Sequence, residues 1–524
     1  MSLLSILFQC MLGYILVSTV IRWAKFRRAL VQINNYPGER VVFGFASLLG
    51  NILPYIPYIS LGSGHSWRIK YQVFERLGTD IYGGASLFPP MSYFVASDPA
   101  AVKHVSYSRN GFVKNTESYK ILMGFGSNLL VVEGAQWKRQ RRIAAPAFSD
   151  KNNRLVWDTA KGFVQQMIDN WKPNEPTIIA DVCEEVSLPL SLCVIAKAGF
   201  GQDVSWKSDP IPTGYKLSFK DALSTASKTM HYPLIIPNWA WGLRRKWSNA
   251  KQAHNELRSY LKEMISTRRA LKEQQIREII NSRHDLFSQL ISARDEGDML
   301  TEDELIGNVF IFMIAGHETT AHTLAIMLGM LALYPEVQGK LVEQVRQLER
   351  EYGNLTYSHI QLLTYAMAVV YETLRLFPMA AFMPKKSTVD TKLTVGFPPN
   401  TQTIQVPAST QIIVYSTGLH YHPGYWENPE EFDPERFMNP YWNRDAFIAF
   451  SLGPRACIGR RFAETSLVAE LVTLISKYSV AIDDTRFKHI EGESIVERRS
   501  RLIRPEIRLT LSPAAIPLVF SPRA

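Results

Sequence analysis

The segment Phe450-Ser-Leu-Gly-Pro-Arg-Ala-Cys-Ile-Gly459 constrains this chain more than any other stretch. One cysteine, Cys457, stands between Gly453 and Gly459, with Pro454 and Arg455 ahead of it and Phe450 seven positions upstream. The segment follows a Pro/Asn-rich loop and precedes a helical pattern. A free cysteine is usually a small buried hydrophobe, and that reading fits any of the four present: Cys10, Cys183, Cys193 and Cys457. The surroundings of Cys457 favour another. Glycine lets backbone approach a neighbouring group closely. A helix starting just after the cysteine brings N–H groups and a positive dipole end toward the sulfur, which favours a thiolate.

The chain has 524 residues, 46% hydrophobic and 20% charged, enough for one large core or several domains. With no CxxC pair and no dense cysteine framework, neither a disulfide scaffold nor a structural zinc site is indicated. The net charge of +10 suits an anionic membrane surface, an acidic protein partner or nucleic acid. No zinc finger, RNA-recognition signature or long basic tract supports nucleic acid.

Ser2 to Ile21 carries no charge and is mostly Leu, Ile, Val, Phe and Met. At about 1.5 Å per residue it is roughly 30 Å long as a helix, the thickness of a bilayer core. Arg22, Lys25, Arg27 and Arg28 follow at once. A secretory signal wants its positive charge before the apolar run; here the charge lies after it. The expectation is a retained anchor with the remaining chain on the cytoplasmic side, against a mitochondrial targeting helix or a buried core helix. The other long apolar stretch, Leu305 to Leu333, carries Glu318 and two histidines and reads as a core helix.

Pro37, Pro54 and Pro57, with Gly38, Gly44 and Gly50, make the stretch after the anchor a poor helix and a plausible hinge. Tyr93 to Ser97 reads as a strand closed by Asp98-Pro99. Helical patterns follow over 151–171, 184–200, 241–275, 301–333, 335–351 and 359–376. Thr301 and Glu304 form a capping box at the start of the fourth. Extended runs near 393–396, 403–406 and 411–415 suggest small sheets against a helical body. The expected fold class is mainly α with small β-sheets. It divides into an anchor at 1–21, a basic Pro/Gly-rich hinge at 22–60 and one large domain at 61–524. There is no internal repeat and no nucleotide-binding glycine motif.

Ala315-Gly-His-Glu-Thr-Thr320 is a polar break inside the apolar 301–333 helix. Buried polar groups need partners, and a mid-helix threonine can bond the carbonyl four residues back. One reading is structural: the carboxylate pairs with a base and the hydroxyls satisfy backbone. A zinc-protease reading from His317-Glu318 fails on spacing. The next histidine, His322, lies about 140° round the helix from His317, whereas HExxH needs both rings on one face.

The spacing Phe-x-x-Gly-x-Arg-x-Cys-x-Gly resembles the haem-binding loop of the cytochrome P450 family residue for residue. Ala315 to Thr320 is similar to that family's central-helix motif. Glu372-Thr-Leu-Arg375 resembles its ExxR, Asp433 to Phe437 its PERF segment, and Trp137 with Arg141 its WxxxR, all in the family's order. The departures, Ser451-Leu452 and Pro454 in the cysteine loop, remove no ligand and no proton donor.

The resemblance implies a P450 fold as a single catalytic domain, holding haem b through the Cys457 thiolate. Thiolate ligation in that family pushes electron density that favours O–O cleavage. Phe450 belongs to the same loop, and Trp137, Arg141 and Arg455 would reach the haem propionates. Gly316 would open a groove for dioxygen, with Glu318 and Thr319 as the acid–alcohol pair delivering protons. Arg436 would join Glu372 and Arg375 in a buried network under the cysteine loop.

The resulting expectation is a fungal-like, microsomal-type monooxygenase, single-pass in the endoplasmic reticulum membrane with its catalytic domain cytoplasmic. Electrons would come from NADPH through a separate reductase, with cytochrome b5 as a second donor, because no flavin or nicotinamide domain fits in this chain. Apolar residues expected at the pocket, Phe112, Phe312 and Met379 to Phe382, suggest a lipophilic terpenoid, steroid, fatty or aromatic substrate. The alternatives are a P450-fold isomerase or dehydratase acting without O2, a non-catalytic haem-binding protein, and a helical membrane adaptor without haem.

Overall fold

A computed structural model describes residues 3–62, 64–108, 110–202, 204–206, 210–270, 285–292, 300–396, 401–507 and 510–523. The long helices are α1 (Leu3–Gln32), α2 (Gly134–Ala144), α3 (Asp150–Ile168), α4 (Phe219–Lys228) and α5 (Arg245–Ala270). They continue with α6 (Glu302–Leu333), α7 (Pro335–Tyr352), α8 (Thr364–Leu376) and α9 (Arg460–Ile475). Residues 271–275 of the helix expected over 241–275 lie outside the described residues.

The first strands are β1 (Gly38–Phe43), β2 (Ile81–Phe88), β3 (Pro90–Ala96), β4 (Phe112–Lys114) and β5 (Thr177–Ile179). Next come β6 (Phe382–Ser387), β7 (Thr391–Val395), β8 (Gln402–Val406) and β9 (Gln411–Tyr415). The last are β10 (Tyr478–Ile482), β11 (Pro505–Ile507), β12 (Leu511–Pro513) and β13 (Leu518–Pro522). A mixed sheet runs β1-β2-β3-β9-β6-β4, a smaller one β10-β13-β5, and β7/β8 and β11/β12 are hairpins. The expectation of a mainly α fold with small sheets holds.

The axis of the body is α6. Thr301 caps it: its hydroxyl accepts from the Glu304 N–H at 3.2 Å while the Glu304 carboxylate accepts from the Thr301 N–H at 3.0 Å. Pro335 then opens α7 at its first position, where a missing N–H costs nothing. Apolar over most of its length, α6 is largely buried, touching α5, α7, α8 and α9 while α3 packs along α9. Gly307 lets another segment lie directly on it, since a Cβ there would overlap the Ser127 carbonyl. Asn308 completes that contact by accepting from the Leu129 N–H at 2.9 Å.

The stretch expected as a hinge is docked onto this body. Residues 22–32 continue α1 without a break, and β1 pairs in parallel with β2. Phe26 and Leu30 pack on Ala85 of β2, and the Arg22 guanidinium lies 4.9 Å from the Phe88 ring centre. Proline and glycine break the helix only beyond Asn34, so basic residues that read as a tether are helical. Further up, α1 leaves Leu12, Ile15, Leu16, Val17, Val20 and Ile21 exposed. Among the described residues, the helix long and apolar enough to cross a bilayer is α6, most of which is buried in the core.

Candidate active site

The loop ahead of α9 closes on itself. The Cys457 N–H donates to the Phe450 carbonyl at 2.9 Å, and the Ala456 N–H to that of Gly453 at 2.9 Å. Gly453 sits at φ +70°, and a Cβ there would lie 2.6 Å from the Ser106 carbonyl, so only glycine fits. Gly459 leaves room for the Phe148 ring, 3.4 Å from where its Cβ would be. That ring meets Phe312 of α6 edge-on at 5.7 Å. One aromatic residue thus spans from the cysteine loop to the central helix.

The Cys457 side chain is exposed although protein surrounds it, as expected of a thiol lining an internal space. Burial pushes this thiol up from its ordinary value, against the Gly459 N–H and the charges of Arg141 and Arg460, which pull it down. The helix-start N–H of Gly459 and the two guanidinium groups favour the thiolate, as expected, and burial opposes them.

Beneath the loop lies a buried ion pair. Arg375 grips Glu372 through two parallel bonds, Nε–Oε2 at 2.6 Å and Nη2–Oε1 at 2.7 Å. Its remaining N–H groups donate to the carbonyls of His420 and Pro429 at 2.8 Å and of Glu431 at 2.9 Å. Glu372 also accepts from the Asp433 N–H at 2.9 Å and lies 3.4 Å from Arg436 Nε. Sequence reasoning brought these three together but missed His420. Its Nε2 accepts from the Ile448 N–H at 2.9 Å, so Nδ1 carries the proton and donates to the Arg375 carbonyl at 3.0 Å. Burial and the Arg375 charge push this imidazole down to about 3, so it stays neutral. No motif marks it; it links the ion pair to the segment that enters the cysteine loop.

On a third side stand cations. The Arg455 guanidinium lies 4.2 Å from the Trp137 ring centre and donates to the Val132 carbonyl at 2.8 Å and to Glu133. Arg141 donates to the Ala456 carbonyl at 3.0 Å. The expected set, Trp137, Arg141 and Arg455, is therefore gathered at the loop. Two lysines missed in the sequence join it: Lys114 of β4 and Lys385 of β6, register partners on paired strands. Lys114 donates to the Leu130 carbonyl at 2.6 Å and sits 3.7 Å from the Tyr119 ring centre. Burial, then Arg455 and Lys385, push its ammonium down to about 7, and Lys385 is lowered by burial and Arg455. Glu133 is the carboxylate that acts on all three cations.

The polar break of α6 lies at Ala315–Thr320. Ala315 is exposed and Gly316, Glu318 and Thr319 are half-buried within a largely buried helix. The Thr319 hydroxyl donates to the Ala315 carbonyl at 2.7 Å. Glu318 accepts from Ser227 of α4. His317 is buried, its Nε2 3.1 Å from the Leu188 carbonyl, and desolvation pushes it down to about 4. At Gly316 a Cβ would lie 3.0 Å from Ile195 Cδ1, so the missing side chain lets Ile195 pack close to the helix. No group of three metal-ligating His, Cys, Asp or Glu side chains occurs among the described residues.

A family profile described as Cytochrome P450 matches residues 84–505. Cytochrome P450 monooxygenase 124 of Postia placenta is 37% identical over 511 residues, covering 95% of this chain and 96% of that one. Cytochrome P450 monooxygenase prx9 of Penicillium rubens is 29% identical over 465 residues, covering 80% and 78%. Among solved structures, the cytochrome P450DA heme domain superposes with a TM-score of 0.72 at 20% identity, covering 93% of this chain and 99% of that one.

The chain belongs to the cytochrome P450 family. It is a P450 monooxygenase, a haem-thiolate oxidoreductase.

The residues of this P450 fit haem. An accessible sulfur suits an iron ligand. Buried cations that depress one another, with Glu133 as their shared counter-charge, suit a group bearing two carboxylates. The fit sets a pH signature. In haem-free P450, Lys114 titrates near 7, against an ordinary value of 10.5 once unfolded. Between these values the unfolded chain holds a proton that the folded one has released, so stability rises with pH across that window. We expect urea unfolding of the haem-free protein at pH 7, 8 and 9 to show this rise, and Lys114→Met or haem binding to flatten it. An equal slope in Lys114→Met would remove the cluster from the account.

Proposed function

We propose that this chain is a membrane-anchored monooxygenase of the microsomal, fungal type. It inserts one oxygen atom from O2 into a lipophilic substrate, by C–H hydroxylation or epoxidation. The observation that carries the reading is an accessible thiol, Cys457, in a loop held by Arg141 and joined through Phe148 to the helix that bears the polar break. When bound, haem b supplies the redox-active iron for oxygen activation. Cys457, within the Phe450–Gly459 loop, would ligate its iron, and Trp137, Arg141 and Arg455, joined by Lys114 and Lys385, would hold its carboxylates.

Thr319 and Glu318 manage protons. The hydroxyl of Thr319, bonded to the Ala315 carbonyl, stands at the open face of α6, where it can orient a donor. Glu318, one residue back along the helix, is the acid that resupplies it. Gly316 thins the helix beside them. The apolar cover of the central helix excludes water and so protects a reactive oxidant.

Residues 1–21 form a single-pass anchor in the endoplasmic reticulum membrane, 22–60 connect it, and 61–524 form the cytoplasmic catalytic domain. The exposed apolar residues of α1, followed by four basic ones, support that orientation. Electrons come from NADPH through a separate reductase, with cytochrome b5 as a second donor, and the substrate is a terpenoid, steroid, fatty or aromatic compound. The name of the Postia placenta relative supports the monooxygenase chemistry.

Two variants test this reading. Cys457→Ser should lose the long-wavelength absorption band that the reduced parent shows with carbon monoxide; an unchanged band would sink the ligand assignment. Thr319→Ala, reconstituted with reductase, should keep haem but send most NADPH electrons to hydrogen peroxide, a loss of about tenfold or more in coupling. Product per NADPH equal to the parent's would end the proton-delivery role.

A further inference from the structure

The C-terminal turn of α4 carries three ties on three consecutive residues. The Ser227 hydroxyl donates to Glu318 Oε1 of α6. Lys228 Nζ pairs with Glu184 Oε2 at 2.8 Å, reaching the turn at Cys183–Ser187. The Thr229 hydroxyl lies 3.2 Å from His254 Nε2 of α5. Ser227 is buried, while Lys228 and Glu184 are about half exposed. The outer tie is therefore screened and weak. The inner one joins a buried hydroxyl to a half-buried carboxylate, a charge-assisted bond less screened than the outer pair.

Glu318 has to be aimed. Its neighbour Thr319 bonds back to the Ala315 carbonyl and faces the open side of α6. The Glu318 side chain leaves the helix about 100° away and ends on α4. Its position thus depends on a second helix that the chain fixes separately, through Thr229 on α5 and Lys228 on the 183–187 turn. The Ser227 hydroxyl is a fixed donor from that helix to a carboxylate on a flexible three-bond stem.

We infer that Ser227 is a positioning residue for the reaction: it holds the Glu318 carboxylate in register with Thr319 and couples the placement of α4 to proton delivery. The inference rests on the reading of Glu318 as the proton-supplying acid, and the variants separate the two. Ser227 itself touches neither substrate nor cofactor in this account, so haem content and the carbon monoxide band should stay at parental values in every variant.

The experiment compares Ser227→Ala, Ser227→Thr, Glu318→Gln and the double variant Ser227→Ala/Glu318→Gln in the full-length, haem-loaded enzyme with reductase. The readouts are product per NADPH, the solvent isotope effect on turnover, and amide hydrogen exchange over 219–229 in the resting protein. Ser227→Ala should lower coupling about fivefold, the worth of one such bond, and raise the isotope effect. Ser227→Thr should restore both. The double variant should be no worse than Glu318→Gln alone, because both lie on one path. Exchange over 219–229 should quicken in Ser227→Ala and in Glu318→Gln alike. If Glu318→Gln uncouples while Ser227→Ala matches the parent, the positioning role is overturned and the acid role stands. If Glu318→Gln itself leaves coupling unchanged, the acid role fails and this inference falls with it. Equal exchange in parent and variants would overturn the tie between α4 and α6.

Discussion

The buried pair of Glu372 and Arg375 is the constraint from which the rest of the site hangs. Two charges have been taken out of water, which costs several kcal/mol per ion unless nearly every N–H and lone pair is met. Here they are met: two parallel bonds between the partners, three carbonyls on Arg375, and a backbone N–H on Glu372. Those carbonyls belong to segments distant in sequence, so satisfying one arginine fixes the course of the chain from His420 to Asp433. Through His420 the same pair reaches Ile448 and the entrance to the cysteine loop. Such a pair adds little net stability compared with apolar packing, but it permits one arrangement of these segments and penalises others.

Around that support the molecule is tense in a useful way. The Cys457 thiol and the Lys114 ammonium are both displaced toward their neutral forms by burial. A cation beside the thiol and an anion beside the ammonium would each favour the charged form. A metal complex bearing carboxylates answers both at once, which ties cofactor binding to stability. The face of α6 adds the third element, a hydroxyl and a carboxylate in an apolar helix, each with its partner accounted for.

Much of this was legible in the chain. The capping box at Thr301 and Glu304, Pro335 at a helix start, and the strands near 93–97 and 411–415 rest on local rules, and local rules suffice there. The cysteine loop, the ExxR pair and the tryptophan–arginine pair were legible through spacing. What escaped depends on contacts between distant segments. His420, Lys114, Lys385 and Ser227 carry no signature, since a histidine or lysine becomes a site only when another element folds against it. The contact of Gly316 with Ile195, 121 positions away, the docking of Phe26 and Leu30 on Ala85, and the burial of the Cys457 thiol are hidden for the same reason.

The most direct test of the account is the stability and haem retention of Glu372→Gln beside the double variant Glu372→Met/Arg375→Met. With one partner gone, the Arg375 charge is left buried and uncompensated, at a cost of about 3–5 kcal/mol. The account predicts that Glu372→Gln unfolds correspondingly earlier and fails to retain haem, while the double variant recovers much of the stability without recovering haem, because the carbonyls that placed the loop have lost their donor. Glu372→Gln with parental stability and full haem content would contradict the claim that this pair holds the cysteine loop in place.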